Sequence, residues 1–291
     1  MQPPVPPAGP YGTATRAPRQ IAVYGKGGIG KSTIVSALAV LFARAGHRVA
    51  LVGCDPKHDT SYKVTSRFPA PTVLEEYEAR REHLRLDEVL IEGRHGIVCV
   101  EAGGPEPGVG CAGRGISRMF ELFEQLGFYE LGFDVVLYDV LGDVVCGGFA
   151  TPIRKGYAGE VLIVASGELM ALYAANNICR ALVRLQGHGV RLRGLVGNLR
   201  GLENEQALLA RFAERVGTTL LASVPRDQAV FDAERERLTV VEHAPGSGAA
   251  AALEGLVRAL GAPGQGEGSV PRPMGDVGFD EFLRSALRQP P

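Results

Sequence analysis

The stretch GKGGIGKS, residues 25–32, decides the fold of this chain. It satisfies the phosphate-loop pattern G-x-x-x-x-G-K-[ST] and stands between a short apolar run, 21–24, and a helical pattern, 31–44. Glycines in such a loop let backbone N–H groups wrap a phosphate, and the start of the following helix adds positive potential. The alternative is a glycine-rich turn without a ligand. We expect Lys31 to reach the β- and γ-phosphates and Ser32 to bind Mg²⁺. The predicted nucleotide-binding residues of the loop are Gly25, Lys26, Gly27, Gly28, Ile29, Gly30, Lys31, Ser32 and Thr33.

Short β-rich runs alternate with helical patterns along most of the chain. The strand-like runs are nearly continuous in apolar residues, which is typical of parallel strands that are covered on both faces. We therefore predict an α/β fold, a single P-loop NTPase domain with a mostly parallel sheet covered by helices on both faces. After the first strand, the predicted strands are 48–52, 97–100, 133–138, 161–165, 192–196 and 220–223. The predicted helices are 31–44, 117–125, 169–185, 204–216 and 249–260.

Composition narrows the function classes. The chain has 291 residues, of which 45% are hydrophobic, a mean hydropathy of +0.05 and a net charge of −1. These values are typical of a globular protein in water and predict neither a nucleic-acid nor a membrane partner. Five cysteines in a chain without a secretory signal indicate a reducing compartment, so we expect a cytoplasmic protein.

Acidic residues follow the predicted strands where a magnesium nucleotide would need them. Asp139 comes at the end of a buried strand. This is the position of an acid that holds Mg²⁺ through water. Gly142 could offer its amide to the γ-phosphate. Asp55 is expected to orient or deprotonate the attacking water, and Asp59 to touch the Mg²⁺ shell. The alternative for Asp55 and Asp59 is a helix cap or a loop acid.

Two cysteines stand in glycine-rich settings, Cys111 in GCAGRG and Cys146 in DVVCGG. Glycines let backbone amides crowd a sulfur-rich centre, and a cubane iron–sulfur cluster needs four thiolates. One chain offers two such thiolates, so we infer that two chains share one [4Fe–4S] cluster. Asp143 precedes Cys146 by three residues and would couple a γ-phosphate sensor to a cluster ligand. The other cysteines, Cys54, Cys99 and Cys179, are predicted to be small buried core residues.

Three segments follow from these patterns. Residues 1–19 are rich in proline and are predicted to form a disordered tail. Residues 20–260 are predicted to form the P-loop ATPase and iron–sulfur domain. Residues 261–291 are predicted to form a Gly/Pro-rich linker and a short C-terminal helix at 279–287.

Lys26 is a second lysine within the phosphate loop. In this respect the loop resembles the deviant form found in a family of dimeric ATPases that includes partitioning and septum-site proteins. In that family the lysine reaches across a dimer to the partner's nucleotide, so the resemblance implies an ATP-sandwich dimer. The alternative is a solvated surface lysine. The residues predicted to take part in hydrolysis are Lys26, Lys31, Asp55 and Asp143.

The cluster segments resemble those of nitrogenase iron proteins. The resemblance is carried by GGPEPGVGCAGRG at 103–115, YDVLGDVVCGGF at 138–149 and SGELMALYAANNI at 166–178, and it runs from about residue 20 to 240. It implies a homodimeric reductase that passes low-potential electrons to a heterotetrameric catalytic partner, with reduced ferredoxin or flavodoxin upstream. It also implies that Arg114 contacts this partner and is a position that can be ADP-ribosylated.

The resemblance further implies which residues meet the base. Asn198 follows a late strand, and Val224-Pro225-Arg226-Asp227 matches the family's V-P-R-D segment. Adenine recognition is therefore expected from Asn198, Pro225, Arg226 and Asp227.

The sequence departs from nitrogenase iron proteins in the proline-rich tail, in 60–95 and at Phe231, where those proteins tend to carry a polar residue. The same design serves protochlorophyllide and chlorophyllide reductases, a nickel-tetrapyrrole reductase and a methylthio-alkane reductase. Because 166–178 is closer to nitrogenase, we favour nitrogenase or a nitrogenase-like relative. A non-redox partitioning-type ATPase and a cluster-delivering metallochaperone are the remaining alternatives. A partitioning-type ATPase does not need cysteines flanked by glycines. A cluster-delivering metallochaperone usually carries a C-x-x-C pair, which this sequence lacks.

Overall fold

The computed structural model describes residues 17–55, 57–104, 112–140, 142, 150–261 and 268–287, without the side chains of residues 112, 114, 286 and 287. Cys111, Asp143 and Cys146 lie outside this part of the chain, as do residues 1–16 of the predicted tail.

One sheet of eight strands runs through the described residues. Its strands are β1 (Arg19–Gly25), β2 (Val49–Cys54), β3 (Ile91–Glu92), β4 (Val98–Glu101), β5 (Val135–Val140), β6 (Glu160–Ala165), β7 (Arg191–Asn198) and β8 (Leu220–Val224). Their order across the sheet is β3-β4-β2-β5-β1-β6-β7-β8. All neighbours are parallel except β3, which pairs antiparallel with β4 at one edge. The predicted α/β fold with a mostly parallel sheet is confirmed.

Ten α-helices connect and cover the strands in the described chain. They are α1 (Lys31–Arg44), α2 (Val73–Arg80), α3 (Ala112–Leu126), α4 (Thr151–Arg154), α5 (Leu169–Leu185), α6 (Glu205–Arg215), α7 (Gln228–Arg235), α8 (Val240–His243), α9 (Gly248–Leu260) and α10 (Asp276–Leu287). The bounds of α1 and α5 match the prediction. The helices predicted at 117–125 and 279–287 begin earlier, at Ala112 and Asp276.

The sequence patterns miss the short helices α2, α4, α7 and α8. None exceeds eight residues, so no long apolar stripe marks them. Three of them start at a capping side chain instead. Thr72 accepts a hydrogen bond from the Glu75 amide, Asp227 accepts one from the Ala229 amide, and Thr239 forms a capping box with Glu242.

The core lies on both faces of the sheet. Successive residues of a strand point to opposite faces, and in β1 Ala22 and Tyr24 join one buried cluster while Ile21 and Val23 join the other. Helix α3 packs on the first face, and α1 and α9 pack on the second. The central strands are therefore sandwiched, as their nearly unbroken apolar sequences require.

Helix α10 is joined to the core through a pair of buried hydrogen bonds. The Asn176 side chain donates to the Met274 carbonyl and accepts from the Met274 amide, each at 2.9 Å. On α10 itself, Phe279 and Phe282 are buried. At the other end of the domain, β1 begins at Arg19, the last residue of the predicted tail. The division at residues 19 and 260 stays a prediction.

Glu242 connects the turn before β4 to α8. Its carboxylate accepts two hydrogen bonds from the Arg94 guanidinium, at 2.9 and 3.1 Å, and one from the Thr239 amide at 3.0 Å, and it lies 2.9 Å from His95 Nε2. Burial alone would raise its pKa, but these hydrogen bonds lower the pKa to about 2. Because the folded pKa lies below the ordinary value of 4.5, the ionised carboxylate stabilises the fold at neutral pH.

We therefore expect Glu242→Gln to lower the free energy of unfolding at pH 7 by about 2 kcal/mol. The stabilisation is complete above the unfolded-state pKa and is lost as pH falls towards the folded one, so the difference from wild type should shrink between about pH 5 and pH 2. Denaturant unfolding across this range measures it, with the exposed Glu78→Gln as control. A difference independent of pH would contradict the ion-pair explanation.

Candidate active site

The phosphate loop joins the end of β1 to the start of α1, which is the setting the motif needs. Gly30 immediately precedes Lys31, the first residue of α1, and has a φ of 100°, which favours glycine. A Cβ at Gly30 would also collide with the side-chain amide of Asn198. That amide donates to the Ile29 carbonyl at 2.7 Å, so the loop is held from the end of β7 as well as from β1.

The loop closes one side of a cavity of about 400 Å³ at the C-terminal edge of the sheet. The cavity is lined by residues from three places along the sequence, the phosphate loop, the segment after β2 and the end of β5. They are Gly27, Gly28, Gly30, Lys31, Ser32, Thr33, Asp55, Lys57, Asp59, Asp139 and Gly142. The structure thus brings together most of the residues predicted to bind phosphate and magnesium.

Asp139 is the buried acid of this cavity. Its Oδ2 accepts a hydrogen bond from the Thr60 hydroxyl at 2.8 Å, and its Oδ1 has no hydrogen-bond partner among the described residues. Burial raises the pKa of Asp139, although the hydroxyls of Ser32 and Thr60 and the charge of Lys31 oppose this shift. A buried carboxylate with an unused oxygen, close to a hydroxyl, fits a hydrated divalent cation such as Mg²⁺.

Lys31 is buried at the bottom of the loop. Its Nζ lies 3.4 Å from the Lys26 carbonyl, a long hydrogen bond that a stronger acceptor could replace. Burial lowers the pKa of Lys31, and the nearby Asp139 and Asp55 oppose this shift. An ammonium group that burial has deprived of water fits a ligand with several anionic oxygens, such as a nucleotide triphosphate.

The two remaining acids sit at the edge of the cavity. Asp55 directly follows β2, and its Oδ1 accepts a hydrogen bond from the Lys57 amide at 3.0 Å. Asp59 is exposed and stands at the N-cap of the short 3₁₀ turn Thr60–Lys63, but its side chain makes no capping hydrogen bond. Asp59 is therefore free of the capping role that was its alternative assignment. The catalytic roles of both acids stay predictions.

The residues expected around the base occupy the ends of β7 and β8. Asn198 of β7 pairs with Val224 of β8, and Pro225 and the exposed Arg226 follow. Asp227 caps α7 by accepting a hydrogen bond from the Ala229 amide, and its other carboxylate oxygen accepts one from the Ala249 amide at the start of α9. None of these residues lines the phosphate cavity itself, so their part in adenine recognition stays a prediction.

Three buried polar residues around the cavity escape the sequence analysis. Thr60 binds Asp139, and Lys63 donates to the Thr33 hydroxyl at 3.1 Å. Glu101, the last residue of β4, is fully buried and accepts a hydrogen bond from the Ser61 amide at 2.6 Å. The one sequence signal for Glu101 is an acid two residues before a pair of glycines, in EAGG at 101–104.

The predicted cluster ligands are outside the described residues, and so is the Arg114 side chain. The strands that lead to them are described. Residues 105–111 follow β4, and 143–149 follow β5. Only β2 separates β4 from β5, and all three are parallel. The strands that precede the two cysteine segments therefore end at the same edge of the sheet, about 10 Å apart.

The loop, the helix start and the strand-end acid define a P-loop NTPase. Solved structures share this fold. The septum site-determining protein MinD from Pyrococcus horikoshii, complexed with Mg-ADP, has a TM-score of 0.64 at 19% identity, over 81% of this chain and 93% of that one. A ParA family ATPase from Chlorobium tepidum also has a TM-score of 0.64, at 15% identity, over 84% and 98%.

Sequence comparison narrows the class to a family. Residues 19–288 match the family described as 4Fe-4S iron sulfur cluster binding proteins, NifH/frxC family. Nitrogenase iron protein 2 from Methanothermobacter thermautotrophicus is 47% identical over 91% of this chain and 97% of its own length. A nitrogenase iron protein from Methanospirillum hungatei is 45% identical over 92% and 96%. This chain belongs to the NifH/frxC family, and the resemblance drawn from its cysteine segments is confirmed.

The described residues lack both a three-ligand metal group and a membrane-spanning helix. They contain no group of three or more histidine, cysteine or acidic side chains arranged to hold a metal. Across the same ranges, no helix has both the length and the apolar character to cross a bilayer.

Gly142 touches the phosphate loop directly. A Cβ on Gly142 would lie 2.6 Å from the Gly27 amide nitrogen and 3.0 Å from the Gly25 carbonyl oxygen. We expect Gly142→Ala to push the loop away from β5 and to weaken MgATP binding at least about tenfold. Gly187→Ala is the control, because a Cβ at Gly187 meets nothing within 4 Å. Equal affinities in an equilibrium binding assay would show that the close approach is not needed.

Proposed function

We propose that this chain is the ATP-dependent electron-donor component of a nitrogenase or nitrogenase-like system. Two copies hold one [4Fe–4S] cluster through Cys111 and Cys146, and they pass low-potential electrons to a heterotetrameric catalytic partner, coupled to MgATP hydrolysis. The observation that carries the proposal is membership of the NifH/frxC family along nearly the whole chain. The strands that precede the two cysteine segments, β4 and β5, end at the same edge of the sheet as the phosphate loop, which supports it.

The residues around the cavity divide the work of binding and hydrolysing MgATP. Lys31 and the loop amides take the phosphates, while Ser32 and Asp139 hold the cation. Asp55 orients the attacking water, and Asp59 contacts the Mg²⁺ shell. Gly142 senses the γ-phosphate through its amide, and Asp143 carries this information to Cys146. The bound cluster supplies one-electron chemistry at low potential.

The surface around the phosphate loop supports a homodimer that closes over the nucleotide. Lys26 is exposed beside the cavity. A lysine that reaches the nucleotide of a partner subunit has to be exposed in this way. Leu169, Met170 and Leu202 are 54, 56 and 48% exposed. Large apolar side chains grouped on one surface are typical of an interface.

The loop after β7 connects these apolar residues to the phosphate loop. The Arg200 guanidinium donates to the Gly28 carbonyl at 3.0 Å and lies 3.5 Å from the Glu168 carboxylate, which directly precedes Leu169. Buried Glu205 fixes the shape of the loop, because it accepts hydrogen bonds from the amides of Gly167, Arg200, Gly201 and Leu202. The exposed apolar residues and the phosphate loop thus form one continuous surface.

Two departures from nitrogenase iron proteins keep a second candidate open for the catalytic partner. Residues 60–95 and the exposed Phe231 depart from nitrogenase iron proteins. The second candidate is the iron protein of a protochlorophyllide, chlorophyllide or methylthio-alkane reductase, with the same cluster and nucleotide chemistry. In either case we propose a cytoplasmic protein that takes electrons from reduced ferredoxin or flavodoxin and meets its catalytic partner near Arg114.

Iron analysis and reduced-state EPR of anaerobically purified protein test the proposal. We expect about four iron atoms per dimer and an EPR signal that changes with MgATP. Cys111→Ser and Cys146→Ser should each lose the iron, while Cys179→Ser, which alters a buried cysteine of α5, should keep it. An iron-free wild-type dimer that hydrolyses ATP would favour a partitioning-type ATPase instead. A full iron complement in either serine variant would refute the ligand assignment.

Asp143→Glu tests the relay between the nucleotide and Cys146. The longer side chain should displace the carboxylate from its position beside the γ-phosphate. We expect the acceleration of iron chelation by MgATP to fall at least about tenfold, with the iron content unchanged. The rate of iron loss to a coloured chelator, with and without MgATP, measures this. An unaltered acceleration would count against a relay through Asp143.

A further inference from the structure

Glu101 stands at the end of β4 as Asp139 stands near the end of β5. In the parallel register, Glu101 pairs with Gly53 of β2, and Gly53 pairs in turn with Asp139. The two carboxylates therefore flank one glycine at the same level of the sheet. Glu101 is fully buried, yet it lines no part of the nucleotide cavity.

The space for Glu101 exists because residue 53 is a glycine. A Cβ at Gly53 would collide with Glu101 Oε2 and lie 2.9 Å from the Thr60 hydroxyl. Glu101 Oε1 accepts the Ser61 amide hydrogen at 2.6 Å, and Oε2 has no hydrogen-bond partner within the described ranges. Burial raises the pKa of Glu101 to about 7, opposed by hydrogen bonding to Ser61. A buried acid held by so few contacts contributes little to stability. The contacts of Glu101 therefore point to a role in holding neighbouring segments in place.

The turn Thr60–Lys63 is connected to two strands by adjacent residues. Thr60 donates its hydroxyl to Asp139 of β5, and Ser61 donates its amide to Glu101 of β4. The same turn directly follows Asp59, which lines the cavity together with Asp55. Any displacement of the cavity edge on nucleotide binding therefore reaches both strands through this turn.

Beyond Glu101, the chain is held on its other side by α2 and the residue before it. The Leu74 amide donates to the Ala102 carbonyl at 3.2 Å, and Thr72 forms a parallel bridge with Glu101. Gly103 has a φ of 72°, and a Cβ there would collide with Thr72. The end of β4 is thus packed between the turn and α2.

We propose that Glu101 is a positioning residue that transmits the nucleotide state from the turn Thr60–Lys63 to the chain segment carrying Cys111. This inference rests on the proposed function. Cys111 follows Glu101 by ten residues, and Cys146 follows Asp139 by seven. One turn then moves both cluster ligands of a chain together, one through each strand. The relay through Asp143 serves Cys146 alone.

Two conservative variants of Glu101 separate the effect of its hydrogen bond with Ser61 from the effect of its charge. Glu101→Gln keeps the side-chain length and a carbonyl oxygen that can accept the Ser61 amide hydrogen. Glu101→Asp keeps the charge but is one methylene too short to reach it. The readout is the ratio of iron chelation rates with and without MgATP in the full-length dimer. We expect Glu101→Gln to keep this ratio within about twofold of wild type, and Glu101→Asp to lower it at least about tenfold while MgATP affinity changes less than about threefold.

Gly53→Ala provides an independent variant in case Glu101→Asp does not fold. The added Cβ displaces the Glu101 carboxylate while the residue at position 101 stays glutamate. The variant should therefore lower the chelation ratio as Glu101→Asp does. Gly187→Ala is the control, because its Cβ meets nothing within 4 Å.

Three outcomes would overturn the inference. The first is an unchanged ratio of chelation rates in both Glu101→Asp and Gly53→Ala. The second is a ratio that falls more in Glu101→Gln than in Glu101→Asp. The third is a loss of MgATP affinity as large as the loss in the ratio. A wild-type protein whose chelation ignores MgATP would overturn the proposed function itself, and the inference with it.

Discussion

The hydrogen bond between the Thr60 hydroxyl and the buried Asp139 carboxylate connects the parts of this site to one another. A carboxylate inside a protein is destabilised unless donors or a cation compensate for the water it has lost. In the described chain, two hydroxyl groups and the charge of Lys31 compensate the Asp139 carboxylate only in part, since burial still raises its pKa. A cation would complete the compensation. The short turn that carries Thr60 is therefore drawn to the strand end, and the segment with Asp55 and Asp59 is brought to the mouth of the cavity.

The parallel sheet explains how residues far apart in sequence come to line one cavity. Parallel strands all end at the same edge, so the phosphate loop, Asp139 of β5 and the end of β4 lie side by side. Glycines at the strand ends then allow close approach. Gly142 lies against the phosphate loop, and Gly53 leaves space for Glu101. The ends of β4, β5 and β1 are thus only a few strand spacings apart, so a local displacement at one strand end can reach the others.

Sequence patterns predicted the fold and the linear motifs well, because each depends on neighbours along the chain. The phosphate loop and Asp139 are recognisable from the residues beside them, and the long helices α1 and α5 from their apolar periodicity. Glu101 and Thr60 were missed because their importance comes from the register between β4, β2 and β5, which no single segment encodes. Asn198 shows the intermediate case. Its position was predicted, but its amide is engaged by the Ile29 carbonyl, a contact that only the folded chain reveals.

Gly53 and Glu101 share a single volume, although they lie on different strands and far apart in the sequence. A larger side chain at 53 can be accommodated only if the residue at 101 becomes smaller, and a smaller residue at 101 leaves a void beside Gly53. Neither position is therefore free to drift alone over evolutionary time. Relatives that differ at one of them are expected to differ at the other, and such paired exchanges would distinguish lineages that have rebuilt this corner of the sheet from those that have inherited it unchanged.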